Sequence, residues 1–154
     1  MNIKLICFGK MDEAGFREVL KFYQQKITKK VKLEIIELKE QSSADPKSNR
    51  RRNMELLNEQ LVKYPNYEKI IFDVSGKLID SLQFAELIDK NKSFQTGNLL
   101  FVIGPSDGYD RELIQPFTKI SFGKVTYPHQ LFRILALEQI YRSLKILDHE
   151  KYHK

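Results

Sequence analysis

The chain has 154 residues, 42% of them hydrophobic and 30% charged, which suits one domain with a real core and a well-solvated surface. Its formal charge of +6 favours a polyanionic partner where basic residues cluster, as Lys47, Arg50, Arg51 and Arg52 do, and again Arg142, Lys145, Lys151 and Lys154. The single cysteine, Cys7, excludes an internal disulfide and a cysteine-cluster zinc site, and is expected as a buried thiol. No apolar run approaches the roughly 20 residues that span a bilayer. The first apolar stretch is interrupted by Lys4 and stops at Gly9-Lys10, unlike a signal peptide, so a cytoplasmic location without membrane contact is expected.

A first strand is predicted over 2–8. Asp12 is a candidate N-cap, and Phe16, Val19, Leu20, Tyr23 and Ile27 then fall at helical spacing up to about Lys29. Val31, Leu33 and Ile35 alternate with charged residues and predict a strand with one wet face, ending near Leu38. Residues 39–48, with Asp45-Pro46 inside, are expected as a loop. A second helix is predicted over 49–63, with Met54, Leu57 and Leu61 inward and Pro65-Asn66 after it. The run Ile70-Ile71-Phe72 predicts a buried strand over 69–74, followed by a turn at Ser75-Gly76-Lys77. A third helix starts near Asp80-Ser81 and buries Phe84, Leu87 and Ile88. The most apolar strand spans 98–103 and breaks at Gly104-Pro105-Ser106-Asp107-Gly108. A short helix over 110–115, closed by Pro116, leads to a last strand over 119–122. A turn over 122–129 then opens one long apolar helix. Strands alternating with helices imply an α/β fold, its sheet mostly parallel and covered on both faces.

Ligands in such sheets collect beyond the carboxyl ends of the strands. Three loops there carry a glycine near the end of their strand: 72–77, 104–109 and 122–129. Read singly, each is an ordinary strand-to-helix turn. No G-x-G-x-x-G follows the first strand and no G-x-x-x-x-G-K-[ST] occurs, which disfavours a dinucleotide site of the usual kind. His129, His149 and His153 show no metal-ligand spacing, so no metal is expected.

On the long helix, Leu131, Ile134, Leu135, Glu138, Arg142 and Lys145 share one face, and Arg133, Leu137, Ile140, Tyr141 and Leu144 lie on the other. A helix apolar on both sides is packed on both sides, one serving its own sheet and the other a second copy of the chain. A homodimer is therefore expected. Glu138 and Arg142 form an i, i+4 pair in the favourable order, readable as a plain surface pair or as a partly buried functional pair. His129 reads as a helix-entry residue. Tyr152, His153 and Lys154 are either a free tail or, folded back, a phenol, an imidazole and a cation supplied to one site.

The run Thr126-Tyr127-Pro128-His129-Gln130-Leu131-Phe132-Arg133, with Glu138-Gln139, Tyr141-Arg142 and the terminal Tyr152-His153-Lys154, closely resembles the small SPOUT-class methyltransferase family RlmH. The first strand ending Phe8-Gly9-Lys10, then Asp73, Gly76-Lys77 and Phe101-Val102-Ile103-Gly104, fit along the whole length. The resemblance implies a deep trefoil knot near the C-terminus, which no sequence rule supplies, and a homodimer that methylates N3 of a pseudouridine in 23S ribosomal RNA of the assembled ribosome. It implies S-adenosylmethionine bound by Phe72, Gly104, Phe122, Gly123, Lys124, Val125, Thr126 and Tyr127. Pro105 stands where many relatives have a second glycine, and Phe72 where leucine is common.

N3 of pseudouridine carries a proton and becomes a good nucleophile only when that proton leaves. His129 or Glu138 is expected to assist its removal. Arg142 holds Glu138, Tyr152 and His153 order around cofactor and target, and Arg133 and Lys154 meet RNA. The competing expectations are a non-catalytic RNA- or ribosome-binding protein of the same fold, and a knotted methyltransferase with another RNA target.

Overall fold

The structure is a computed structural model that describes residues 1–152; His153 and Lys154, named above, lie outside the described residues. Five strands, β1 (Asn2–Phe8), β2 (Lys32–Leu38), β3 (Glu68–Leu78), β4 (Asn98–Ile103) and β5 (Thr118–Ser121), form one sheet. Their order is β2-β1-β4-β3-β5, and every neighbouring pair is parallel. The helices are α1 (Ala14–Thr28), α2 (Pro46–Leu61), α3 (Ser81–Phe94) and α4 (His129–Leu147). Among the described residues no helix is long and apolar enough to cross a membrane.

Strand alternation sorts the core into two layers. Ile3 and Leu5 of β1 and Leu99 and Phe101 of β4 meet α1, α3 and α4 on one face. Ile6 and Phe8, with Leu100 and Val102, meet Met54, Leu57 and Leu61 of α2 on the other. Both faces are covered, which is why β4 is apolar along nearly its whole length. Cys7 is buried among the first set, and burial pushes its thiol up to about 12, so it is an inert core group.

Several local expectations are corrected. Asp45-Pro46 is the start of α2 rather than part of a loop. Asp45 accepts the Lys47 amide at 3.0 Å, and proline suits a first-turn position whose N–H has no helical partner anyway. Asp12 does not cap α1; Glu13 stands at that position without a side-chain bond, and Asp12 accepts instead from the Gln130 amide of α4. In place of the helix expected over 110–115 the chain forms successive turns over 111–116, since one short segment cannot repay helix nucleation. Asp80 and Gln83 do form a capping box on α3, where the sequence placed its start.

The expected turn at 75–77 belongs to β3. Ile120 of β5 lies opposite Phe72 and again opposite Lys77, so the residues between loop out of the ladder. Gly76 makes this close return feasible: a Cβ there would sit 2.6 Å from the Ile120 amide nitrogen. Gly76→Ala is therefore expected to cost about 1–3 kcal/mol through forced separation of β3 and β5. Chemical denaturation of the two proteins checks this; an unchanged midpoint would show that the ladder yields freely.

Candidate functional site

Beyond the carboxyl ends of β3, β4 and β5 lies a cavity of about 720 Å³. The reversal of strand order falls between β1 and β4, so the cavity is displaced from that crevice toward the β5 edge. Phe72 ends the regular part of β3 at the cavity, and Asp73 and Val74 of the looped-out segment form its wall. Gly104 enters from the end of β4. Phe122, Gly123, Val125, Thr126 and Tyr127 enter from the loop after β5, and His129 at the first position of α4 completes that side. The three loops chosen from strand ends thus line one space. Lys124, expected with them, is exposed and outside this lining.

The floor is aromatic. Phe72 stacks on Phe101 with centroids 5.6 Å apart and meets Phe122 at 5.1 Å and Phe132 at 5.2 Å. Phe122 also meets Phe84 edge-on. These rings fasten the start of the last loop and the start of α4 to the sheet. Gly123 then takes φ 152, a backbone state that side chains disfavour, while the Ser121 hydroxyl donates to its carbonyl at 2.5 Å.

The middle loop is held by Tyr109, which the sequence did not mark. Its hydroxyl lies 3.2 Å from both the Phe72 and Val102 carbonyls, spanning β3 and β4. A Cβ on Gly104 would come within 2.5 Å of the Tyr109 ring, so only glycine admits the ring there. Burial, then the Asp73 charge, pushes this phenol well above its usual range, which keeps it a neutral donor. Asn49 of α2 donates to the Asp107 carboxylate at 2.8 Å, and the Ser106 amide donates to Glu40 at 2.6 Å. Lys47, Arg50 and Arg111 also reach the cavity rim. They were legible in sequence only as a basic run or not at all, because chain distance hid their proximity.

A second constellation lies farther along α4. Arg142 donates through Nε at 2.9 Å and through a terminal nitrogen at 2.6 Å to one oxygen of Glu138, and Gln139 donates to the other at 2.7 Å. Tyr152 donates to Glu138 at 3.3 Å, with the Arg142 guanidinium over its ring. The Glu138 side chain is 17% exposed, so the pair is a partly buried one. Burial, then Tyr23 and Glu138, pushes the Tyr152 phenol up to about 12, so at neutral pH it is a donor and not a base. The chain after α4 folds back at least as far as residue 152. His149 takes φ 55 beyond the helix end, and Lys30 holds Asp148 and Glu150. His129 and Glu138 are nine residues apart on one helix, about 13 Å of rise, so one copy of the chain does not bring them together.

Arg133, expected to meet RNA, is a correction. It is 1% exposed, and its guanidinium binds Glu37 at 2.5 Å and the carbonyls of Gly9 at 3.0 Å and Phe8 at 3.3 Å. The strand ends need those donors, and the side chain lies inward to supply them. Among the described residues no group of His, Cys, Asp and Glu is placed to hold a metal ion.

Comparison with known proteins supplies the context for this arrangement. A family model described as "Predicted SPOUT methyltransferase" matches residues 1–153. Ribosomal RNA large subunit methyltransferase H of Mycoplasma capricolum is 47% identical, with all of both chains covered. The protein of the same name from Mesoplasma florum is 44% identical, also over both whole chains. That of Caldicellulosiruptor saccharolyticus is 39% identical over 99% of each.

Two outcomes follow from the geometry. Tyr109→Phe is expected to lower stability by about 1 kcal/mol through the lost bond and to weaken ligand binding in the cavity, read by thermal denaturation and calorimetry. The Glu150 carboxyl is held down from 4.5 to about 2, by Lys145 first and then Lys30. Because the folded value is depressed, the return of the C-terminal segment is supported above about pH 4.5 and loses that support as pH falls toward 2. Carbon-detected NMR titration should place the Glu150 midpoint near 2, rising in Lys30→Ala; a midpoint near 4.5 in the unaltered chain would contradict the pairing.

Proposed function

The chain belongs to the SPOUT methyltransferase family, among the ribosomal RNA large subunit methyltransferase H proteins, and from that premise we propose that it methylates N3 of a pseudouridine in 23S ribosomal RNA of the assembled ribosome. S-adenosylmethionine is the donor in this reading, a homodimer is the working form, and the cytoplasm is its place. The observation that carries the reading is the convergence of three strand-end loops on one cavity.

The residues present fit the donor. The cavity falls in the roughly 300–1,000 Å³ range of small-molecule sites. The faces of Phe72 and Phe122 suit a flat base, and the Asp73 carboxylate on the wall suits a positively charged sulfonium or ribose hydroxyls. When bound, the cofactor supplies an electrophilic methyl group. Phe72, Gly104 and the 122–127 loop then position and desolvate it. His129 at the mouth of the cavity would receive the N3 proton of the target base, directly or through water, leaving N3 able to act as a nucleophile.

Glu138, Arg142 and Tyr152 act from a second copy in this reading, since within one copy they lie too far from His129. Support for that copy comes from surface apolarity: Leu78 is 61% exposed, Leu82 49% and Val125 62%, and Leu131 and Leu135 of α4 are only half-buried. Ser81 beside Leu82 donates to Gln139 of α4, so these groups share one region. Tyr152 leads into His153 and Lys154, which the reading assigns to the target and the RNA backbone. The reading also includes the trefoil knot; its support is the path of the chain, which leaves β5, turns through 122–128 and enters α4 packed on both α1 and α3.

Mass spectrometry of ribosomal RNA from a deletion strain tests the reaction: one methyl is expected to disappear from one pseudouridine. Loss from a transfer RNA base instead would indicate a related enzyme with another target. No binding of S-adenosylmethionine in calorimetry would favour a non-catalytic RNA- or ribosome-binding protein. Glu138→Ala, Arg142→Ala and truncation before Tyr152 are each expected to reduce methylation about 100-fold or more. Near-normal rates in all three would sink the site assignment.

A further inference from the structure

We propose that Lys47, Arg50 and Arg111 form a phosphate-binding rim at the mouth of the cavity, taking the RNA backbone on either side of the nucleotide that enters it. The proposal rests on the methyltransferase reading and adds a surface to it. Three facts carry it.

The first is position. Lys47 and Arg50 come from the start of α2 and Arg111 from the turns after β4, far apart in sequence, yet all three line the same opening. On α2 half-buried Arg50 lies within the arc of Asn49, Asn53, Met54 and Leu57 and Lys47 at its edge, whereas exposed Arg52 points about 140° away from Lys47. The basic run in the sequence therefore divides into a part at the cavity and a part that is only solvated.

The second is how the rim charges are used. Three carboxylates share the opening, and each is engaged by a local donor. Asp73 accepts from the Ser75 amide and hydroxyl at 2.7 and 2.6 Å, Asp107 from Asn49 at 2.8 Å, and Asp110 from the Glu112 amide at 3.1 Å. The cations are not engaged in the same way. Among the described residues Lys47, Arg50 and Arg111 enter no ion pair, and Arg50 makes only a 3.4 Å bond to the Asp107 carbonyl. The anions hold loops together, and the cations are left to a ligand.

The third is the chemistry of approach. A nucleotide that puts its base edge into a recessed cavity brings a phosphate on each side to the rim. Guanidinium and ammonium groups at the opening suit those charges, and they favour RNA over a neutral ligand without reading sequence. The hold of Asn49 and Arg50 on Asp107 also makes this part of α2 and the middle cofactor loop one unit.

The test compares Lys47→Ala/Arg111→Ala with Arg52→Ala/Lys92→Ala, which removes the same charge from exposed positions away from the opening. Arg50 is left intact because it also holds the cofactor loop. Methylation of ribosomes from the deletion strain is followed against salt, with S-adenosylmethionine affinity measured alongside. The rim variant is expected to lose about tenfold or more in kcat/KM near physiological salt. The slope of log(kcat/KM) against log salt should flatten by about 0.7–0.9 per lost contact, with cofactor affinity kept within about twofold. The proposal is overturned by an unchanged slope, by an equal loss in the Arg52/Lys92 variant, or by a loss explained wholly by weaker cofactor binding. An unaltered protein that neither binds cofactor nor methylates ribosomes strikes the underlying reading; an active one indifferent to Lys47 and Arg111 strikes the rim alone.

Discussion

The buried guanidinium of Arg133 is the contact on which the rest of the molecule depends. It bonds the ends of β1 and β2 to the first turns of α4, through Phe8, Gly9 and Glu37. Glu37 accepts the Met11 amide through the same oxygen, so the segment leaving β1 is fixed by the same centre. A planar fork can serve a carboxylate and two carbonyls at once, which an ammonium cannot do with the same geometry. The Nε of Arg133 is buried without a partner, a cost the other bonds outweigh. Once α4 is pinned there and β5 is pinned against β3, the seven residues between them have both ends set. The shape of the cavity wall is a consequence of where its ends are held.

Much of this was legible from pattern. Strands such as Asn98–Ile103 are apolar enough to declare burial on both faces, and the helical spacing of Met54, Leu57 and Leu61 is plain. The three strand-end loops were also legible, because glycine after an apolar run in an α/β chain has few other uses. What was not legible depends on distance across the fold. Nothing local separates Arg133, which is inside, from Arg142, which is half outside; both are arginines on an apolar helix. The difference is that carbonyls and a carboxylate from residues 8, 9 and 37 wait beside one of them. Tyr109 was silent for the same reason, since its partners are carbonyls of strands thirty-seven and seven residues away.

Three local expectations fail for related reasons. Asp12, Ser75-Gly76-Lys77 and the 110–115 segment all carry reasonable local signals, and each is overridden by a tertiary partner or by shortness. Asp12 gives its carboxylate to Gln130, and Gly76 returns β3 to β5. Asp45-Pro46 is the reverse case, a helix-start signal that operates as local rules say inside a stretch polar enough to suggest a loop. The family resemblance supplied expectations that pattern could not: a cofactor, a target and a knot.

The pairing of the chain's beginning with its end has a further consequence for biogenesis. Arg133 meets Phe8 and Gly9 across about 125 residues of sequence, and α1 packs on α4. The sheet is parallel throughout, so each strand pairing also waits on a crossover. The first strand leaves the ribosome long before the helix that covers it exists. During that interval Ile3, Leu5 and Cys7, which face α4, have only part of their final shelter. Completion must therefore be a late, slow event that follows release of the C-terminal helix from the exit tunnel, so a nascent chain stalled before α4 emerges would expose an incomplete core.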